Sequence, residues 1–207
     1  MAKTKIYTTP VGRAKFCHLV APSTKFKPEG EFDVTLLLEG QEAADLMALI
    51  DEAIQANLDE IKKNKKGHIK ENDPPYAPDI DKEGNDTGAT AFKFKQLASS
   101  MSKDGAQKYE FSVAIFDSAK KIIHPKNIGF GTKLKVAYEI NPYYVASTGA
   151  GVQLRMKAVQ IIELVNGERN AESYGFGDED GYVEPTDTFP ETDASPTEAQ
   201  EEVSGDF

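Results

Sequence analysis

The sequence predicts a mainly-β fold: a small closed antiparallel barrel with one inserted amphipathic helix and an acidic C-terminal tail. Three observations carry that prediction. Several short segments alternate apolar and polar residues, one stretch repeats its apolar residues at helical spacing, and the C-terminal residues lack bases and nearly lack aliphatics. Short strands that follow one another without β-α alternation favour a closed antiparallel barrel over a parallel sheet.

The strand segments are Thr4–Thr9, Gly12–Val20, Glu31–Leu38, Ala91–Ser99, Lys108–Asp117, Lys133–Ile140 and Val152–Val165. In the third, Phe32, Val34, Leu36 and Leu38 share one face while Asp33, Thr35 and Leu37 share the other. Leu134, Val136, Tyr138 and Ile140 oppose Lys133, Lys135, Ala137 and Glu139 in the same way. This is the pattern of a sheet with one dry and one wet face. Between Gln41 and Lys66 the period changes: Ala43, Met47, Ile50, Ile54, Leu58 and Ile61 form one stripe of a helix. Glu42 and Asp45 open it, and Lys62, Lys63, Lys65 and Lys66 close it, both favourable to the helix dipole. Gly67 is the expected stop. Residues 71–90, rich in Pro, Gly and Asp, read as a long polar loop.

The formal charge of −10 conceals an asymmetry. All 24 Lys and Arg lie from Lys3 to Arg169 beside 22 acids, whereas residues 171–207 hold 12 acids and no base. Two units follow: a mildly basic domain over 1–170 and a disordered acidic tail over 171–207. The single cysteine, Cys17, rules out an intrachain disulfide and a Cys-based zinc cluster, as expected of a protein in a reducing compartment. No signal-peptide pattern follows Met1 and no run is long enough to span a membrane, so a soluble intracellular protein is expected.

The search for chemistry returns little. Cys17 and His18 are neighbours, but adjacent residues of a strand face opposite ways and cannot share a proton, so Cys17 reads as a structural thiol. Asp79-Ile-Asp81-Lys-Glu83-Gly84 resembles the start of a calcium loop, yet Thr90 stands where the bidentate Glu belongs. Gly129-Phe-Gly131-Thr-Lys133 lacks the spacing of a phosphate-binding loop and opens a strand. No catalytic residue, metal site or cofactor is expected, and the chain does not read as an enzyme.

What remains is an interleaving of bases and aromatics. In Ala91-Phe92-Lys93-Phe94-Lys95 the two lysines share the wet face, and Lys133 and Lys135 do so on another strand. Arg155 and Lys157 come from a third, and Lys120, Lys121 and Lys126 from the intervening loop. Asn141-Pro-Tyr143-Tyr144 reads as a loop carrying two aromatics beside them. Cations that follow phosphates and aromatic faces that stack any base are the requirements of non-specific single-strand binding. The same lysines also fit an ordinary solvated surface.

In this order and spacing the residues resemble the single-stranded DNA-binding proteins of phage replication, of the OB-fold type with an acidic tail ending in Phe. The resemblance runs from Met1-Ala-Lys3 and is densest in Thr90-Ala-Phe-Lys-Phe-Lys95, Asp117-Ser-Ala-Lys-Lys121 and Gly131-Thr-Lys-Leu-Lys-Val136. It continues through Tyr138, Pro142-Tyr143 and Gly149-Ala-Gly-Val152 to Gly205-Asp-Phe207. It implies DNA contacts from Lys3 and Lys95 and stacking by Tyr143. It also implies that the tail, through Asp206 and Phe207, recruits replication proteins such as DNA polymerase and helicase-primase and competes with DNA for the groove. The family's arginine before a glycine is Glu29 here, and an aromatic after the Pro-Tyr is Val145, which leaves stacking to Tyr144. A homodimer and a place in the host bacterial cytoplasm are consistent with the likeness. Two other readings stay open: an adaptor whose tail is the ligand and whose barrel is a scaffold, and a strand-annealing mediator.

Overall fold

Alternation becomes structure wherever a segment has one dry face. In chain order the elements are β1 (Tyr7–Thr8), β2 (Gly12–Ser23), β3 (Glu31–Leu38), α1 (Gly40–Asn64), β4 (Tyr76–Ile80), β5 (Asp86–Leu97), β6 (Ser99–Met101), β7 (Lys108–Glu110), β8 (Ala114–Phe116), β9 (Lys133–Val145) and β10 (Gly149–Glu163). The structure is a computed structural model that describes residues 5–165 apart from 66, 68 and 103–106, together with Gly181. The chain divides into two units, Met1–Glu168 and Arg169–Phe207, and every element above lies in the first. No helix among the described residues is long and apolar enough to cross a membrane.

Five strands close into a ring. β2 pairs antiparallel with β3, β3 with β5, and β9 with both β10 and β2. β10 completes the circuit by lying parallel to β5, with Leu154 beside Phe94. Followed once around, with the Leu154–Phe94 offset carried three residues back to Gly151 and Ala91, the register leads from Arg13 through Leu37, Ala91 and Gly151 to Tyr143, ten residues along β9 from Lys133, Arg13's own partner. Stagger of this kind is what closing a sheet into a barrel requires. The result is the OB-type barrel anticipated from the sequence, with one departure: a parallel pair closes it, because β10 returns beside β5 after a long crossover.

The inward positions build the core. Leu36, Phe92, Phe94, Leu134, Val136, Leu154 and Met156 have no exposed surface, and Phe94 meets the ring of Tyr138 edge-on at 5.1 Å. Such aromatic contacts add to simple burial. α1 lays Ala43, Leu46, Ile50, Ile54 and Leu58 into this core and packs against β9 and β10. Met47 and Ile61 of the expected stripe are only partly buried. The helix ends at Asn64, short of Gly67, with the Lys65 amide donating to the Ile61 carbonyl at 2.9 Å.

Three expectations need correction. Residues 71–90 are not one loop, because Tyr76–Ile80 and the start of β5 form a hairpin with Tyr76 opposite Phe92. Its turn is held by Asn85 donating its amide to Asp81 Oδ1 at 2.8 Å and by Gly84 at φ 91°. The prolines obscured this strand, and its anchors are distant in sequence: Asp79 pairs with Lys15, and the Tyr76 hydroxyl donates to Asp51 at 2.7 Å. Second, Lys108–Asp117 is split, with β7 pairing β6 and β8 lying parallel to β10. Third, Asn141–Tyr144 is not a loop but the continuation of β9, whose hairpin with β10 turns only after Val145.

That hairpin is clamped from outside. The Ala150 amide donates to the Lys70 carbonyl and the Asn72 amide to the Ala150 carbonyl, both at 2.8 Å. Asn57 of α1 donates to the carbonyls of Tyr143 (3.0 Å) and Gly151 (2.9 Å). Gly149 sits at φ 115°, and a Cβ there would run into the Lys70 carbonyl. Gly149→Ala is therefore expected to destabilise the protein by about 2 kcal/mol or more. Thermal unfolding followed by circular dichroism checks it, and an unchanged midpoint would mean the clamp carries no weight.

Candidate nucleic-acid interface

The outward faces of β2, β3 and β5, with the β2–β3 loop, enclose a groove of about 530 Å³. Period-two geometry assigns its floor and walls: Glu31, Asp33 and Thr35 from β3, with Lys93 and Lys95 from β5 opposite Thr35 and Asp33. Lys25, Phe26 and Lys27 enter from the loop. A β-bulge decides the contribution of β2. Ala14 pairs with Leu36 and is fully buried, but Phe16 pairs with Thr35, leaving Lys15 as the extra residue. The bulge turns Phe16 outward, 59% exposed, with His18 on the same face. Phe26 is 86% exposed, with Lys25 Nζ 5.4 Å from its ring centroid.

The groove carries both signs of charge. Glu31 accepts from Lys95 Nζ at 2.9 Å and also from Lys27. Burial by itself raises the pKa of the Glu31 carboxyl, but the hydrogen bonds and charges of Lys27 and Lys95 outweigh it and hold the group below the ordinary carboxylate value. Asp33 meets His18 Nδ1 at 3.0 Å. Among the described residues the Lys93 ammonium has no ion-pair partner.

Of the residues singled out from the sequence, Lys93 and Lys95 come together in this groove. Arg155 flanks it from β10, level with Lys95 in the parallel register, with Nε donating to Gln96 Oε1 at 3.1 Å. The others lie elsewhere. Lys120, at φ 66°, and Lys135 line a separate hollow of about 330 Å³ with Phe116 and Gln160, between β8, β9 and β10. In the ring order this wall stands opposite β3. Lys121 is in the Asp117–Lys121 turn beside it. Lys133 pairs with Glu163 at 2.6 Å.

Tyr143 and Tyr144 line neither hollow. The Tyr143 hydroxyl accepts from Asn72 Nδ2 at 2.6 Å, and Lys65 Nζ sits 3.8 Å from the Tyr144 ring centroid. Lys3, Asp206 and Phe207 lie outside the described residues. Glu29 is exposed at the base of the β2–β3 loop, its carbonyl accepting from Ser99 Oγ at 2.9 Å, and Val145 is 46% exposed at the end of β9.

Sequence reading missed Phe16, His18 and Phe26 as groove residues. For Phe16 no local signal was available, since strict alternation places it with buried Ala14. Phe26 did leave a trace in Lys25-Phe26-Lys27, a basic-aromatic interleaving like that of β5.

An OB-type barrel with a mixed aromatic and cationic groove on this face defines a class of oligonucleotide-binding proteins. The chain belongs to the family described as single-stranded DNA-binding protein, bacteriophage T7, whose model matches residues 12–164. It is 29% identical over 205 residues to the single-stranded DNA-binding protein of Enterobacteria phage T3, covering 88% of this chain and 83% of that protein. Its identity to the Escherichia phage T7 protein is 28% over 197 residues, covering 87% and 82%. The crystal structure of gp2.5, the single-stranded DNA-binding protein encoded by bacteriophage T7, superposes with a TM-score of 0.64 over 88% of this chain and all of that one, at 28% identity. The single-stranded DNA-binding protein of bacteriophage Enc34, solved in complex with ssDNA, shares the fold at a TM-score of 0.55 and 14% identity, over 76% of this chain and 86% of that one.

Cys17 beside the groove stays a structural thiol. It faces the core side of β2 opposite Val34, and burial pushes its pKa up to about 12. At pH 8 it is expected to react with a thiol reagent at least about tenfold more slowly in the folded protein than after denaturation. Equal rates would place the thiol in solvent.

Proposed function

We propose that this protein binds single-stranded DNA without sequence preference in the β2–β3–β5 groove, coating and protecting it during phage DNA replication, recombination and repair. The observation that carries this reading is the groove itself, where Lys25, Lys27, Lys93 and Lys95 surround the exposed rings of Phe16 and Phe26. Lysines take phosphates, while Phe faces accept any base because every base has a π-face. In an OB-type barrel the face of the second and third strands and the adjoining loop is the usual oligonucleotide site, and β3 and β5 hold that position here.

Within this reading Lys93 and Lys95 contact phosphates and Arg155 extends the path across β10. Lys3 is a further contact from the N-terminus. Lys120, Lys121, Lys133 and Lys135, on other walls, serve only a strand long enough to wrap the barrel. Tyr143 and Tyr144 stack bases only if their contacts with Asn72 and Lys65 open. Residues 171–207 act as a polyanion that competes with DNA for the groove at high effective concentration, and Asp206 and Phe207 recruit replication proteins such as DNA polymerase and helicase-primase. The protein works in the host bacterial cytoplasm, and pairing of two copies is compatible with this scheme.

Fluorescence anisotropy of labelled oligo-dT against the intact protein at several salt concentrations tests the reading. Phe26→Ala is expected to weaken binding by about 1–3 kcal/mol with an unchanged melting temperature, because the ring stacks on bases and not on the core. Lys93→Gln should flatten the dependence of log K on log salt by about 0.7, the contribution of one single-strand phosphate. No binding at low salt, or full binding by both variants, would overturn the groove reading.

A further inference from the structure

We propose that Lys27 and Lys95 form a phosphate subsite whose charge is partly offset, from beneath, by the carboxylate of Glu31. The inference rests on the groove being a single-stranded DNA site, and it concerns how that site is regulated. Glu31 projects one oxygen to each lysine, Oε1 to Lys95 and Oε2 to Lys27. The two non-bridging oxygens of a phosphodiester would offer the same pair of acceptors to the same pair of ammoniums.

The exposures show which partner stays accessible. The Glu31 side chain is 13% exposed, whereas those of Lys27 and Lys95 are 44% and 40% exposed. The carboxylate therefore lies beneath and the ammoniums remain open to the groove, where a phosphate can reach them without Glu31 leaving. It then meets a pair of cations already shared with an anion. The neighbouring charges sort in the same way. His18 is engaged by Asp33, Lys25 lies against Phe26, and Lys93 has no acid among the described residues. The groove thus holds one unmasked lysine on β5 and, two residues on, a masked one.

Two consequences follow. Glu31 keeps affinity below what the lysines alone would give, so that a bound strand is readily released. It also reduces by one the net positive charge that DNA meets, and with it the salt dependence of binding.

The test is Glu31→Gln in the full chain, which keeps the shape and an acceptor while removing the charge. Oligo-dT titrations at several salt concentrations should show several-fold tighter binding at low salt and a log–log slope steeper by about 0.7. In a Lys27→Gln/Lys95→Gln background the same substitution should give a clearly smaller gain, because the two lysines it unmasks are absent. A gain of equal size in that background would overturn the subsite and assign the effect to long-range charge. Equal or weaker binding by Glu31→Gln, with an unchanged melting temperature, would also overturn it and make Glu31 a strut for the two lysines. In that case the groove reading stands so long as Phe26→Ala still weakens binding. If the unsubstituted protein fails to bind oligo-dT, both readings fall.

Discussion

The double engagement of β10, antiparallel to β9 along one edge and parallel to β5 along the other, is the constraint on which the rest of this structure depends. It leaves neither edge of the ring open, and it commits each strand to one inward and one outward face. Leu154 and Met156 thereby fall inside and Arg155 outside. Through β5, the same register places Phe92 and Phe94 in the core and Lys93 and Lys95 on the wall. A slip of one residue would exchange these sets, burying lysines and exposing phenylalanines. The apolar core and the cationic groove are thus two sides of one pairing decision.

The groove also shows why a formal charge of −10 is a poor guide to what a surface attracts. Twelve of the acids belong to residues 171–207, and several of those in the barrel are engaged with cations: Asp79 with Lys15, Glu31 with Lys27 and Lys95, Glu163 with Lys133. Local arrangement decides the field a ligand meets. Here that arrangement sets the shared cations Lys27 and Lys95 in one groove with Lys93, which has no ion-pair partner among the described residues, and with the exposed rings of Phe16 and Phe26. The loop that carries Glu29 brings Lys25, Phe26 and Lys27 to the groove.

Membership of the T7-type family rests on a match spanning all five strands of the ring, from Gly12 in β2 to Leu164 just beyond β10. The helix contributes to the same frame without lining the groove. Asn57, reaching from α1 to two carbonyls of the β9–β10 hairpin, and Asn72, reaching the Tyr143 hydroxyl, set that hairpin against the helix and the segment that follows it. Tyr143 is in this way a structural contact in the unliganded barrel, whatever it does when a strand is bound.

Read alone, the sequence determined the elements whose burial pattern is local: most of the helix stripe from Ala43 to Ile61, and the alternations of Glu31–Leu38, most of Ala91–Ser99 and Lys133–Ile140. In each, the recurring apolar residues turn to the core, and side-chain periodicity records that directly, although Thr35 and Leu37 on the other face of Glu31–Leu38 are covered as well. The class of fold followed from their order, and Lys93 and Lys95 were legible as a pair because two residues along a strand share a face. Tertiary structure alone decided the rest. The β4 hairpin depends on Lys15 and Asp51, far away in sequence, and so left no periodic trace among its prolines. One bulged residue, Lys15, reversed the facing of Phe16. Ring closure then divided the remaining bases among different walls, because the side of a barrel a strand occupies is set by its partners and not by its own residues.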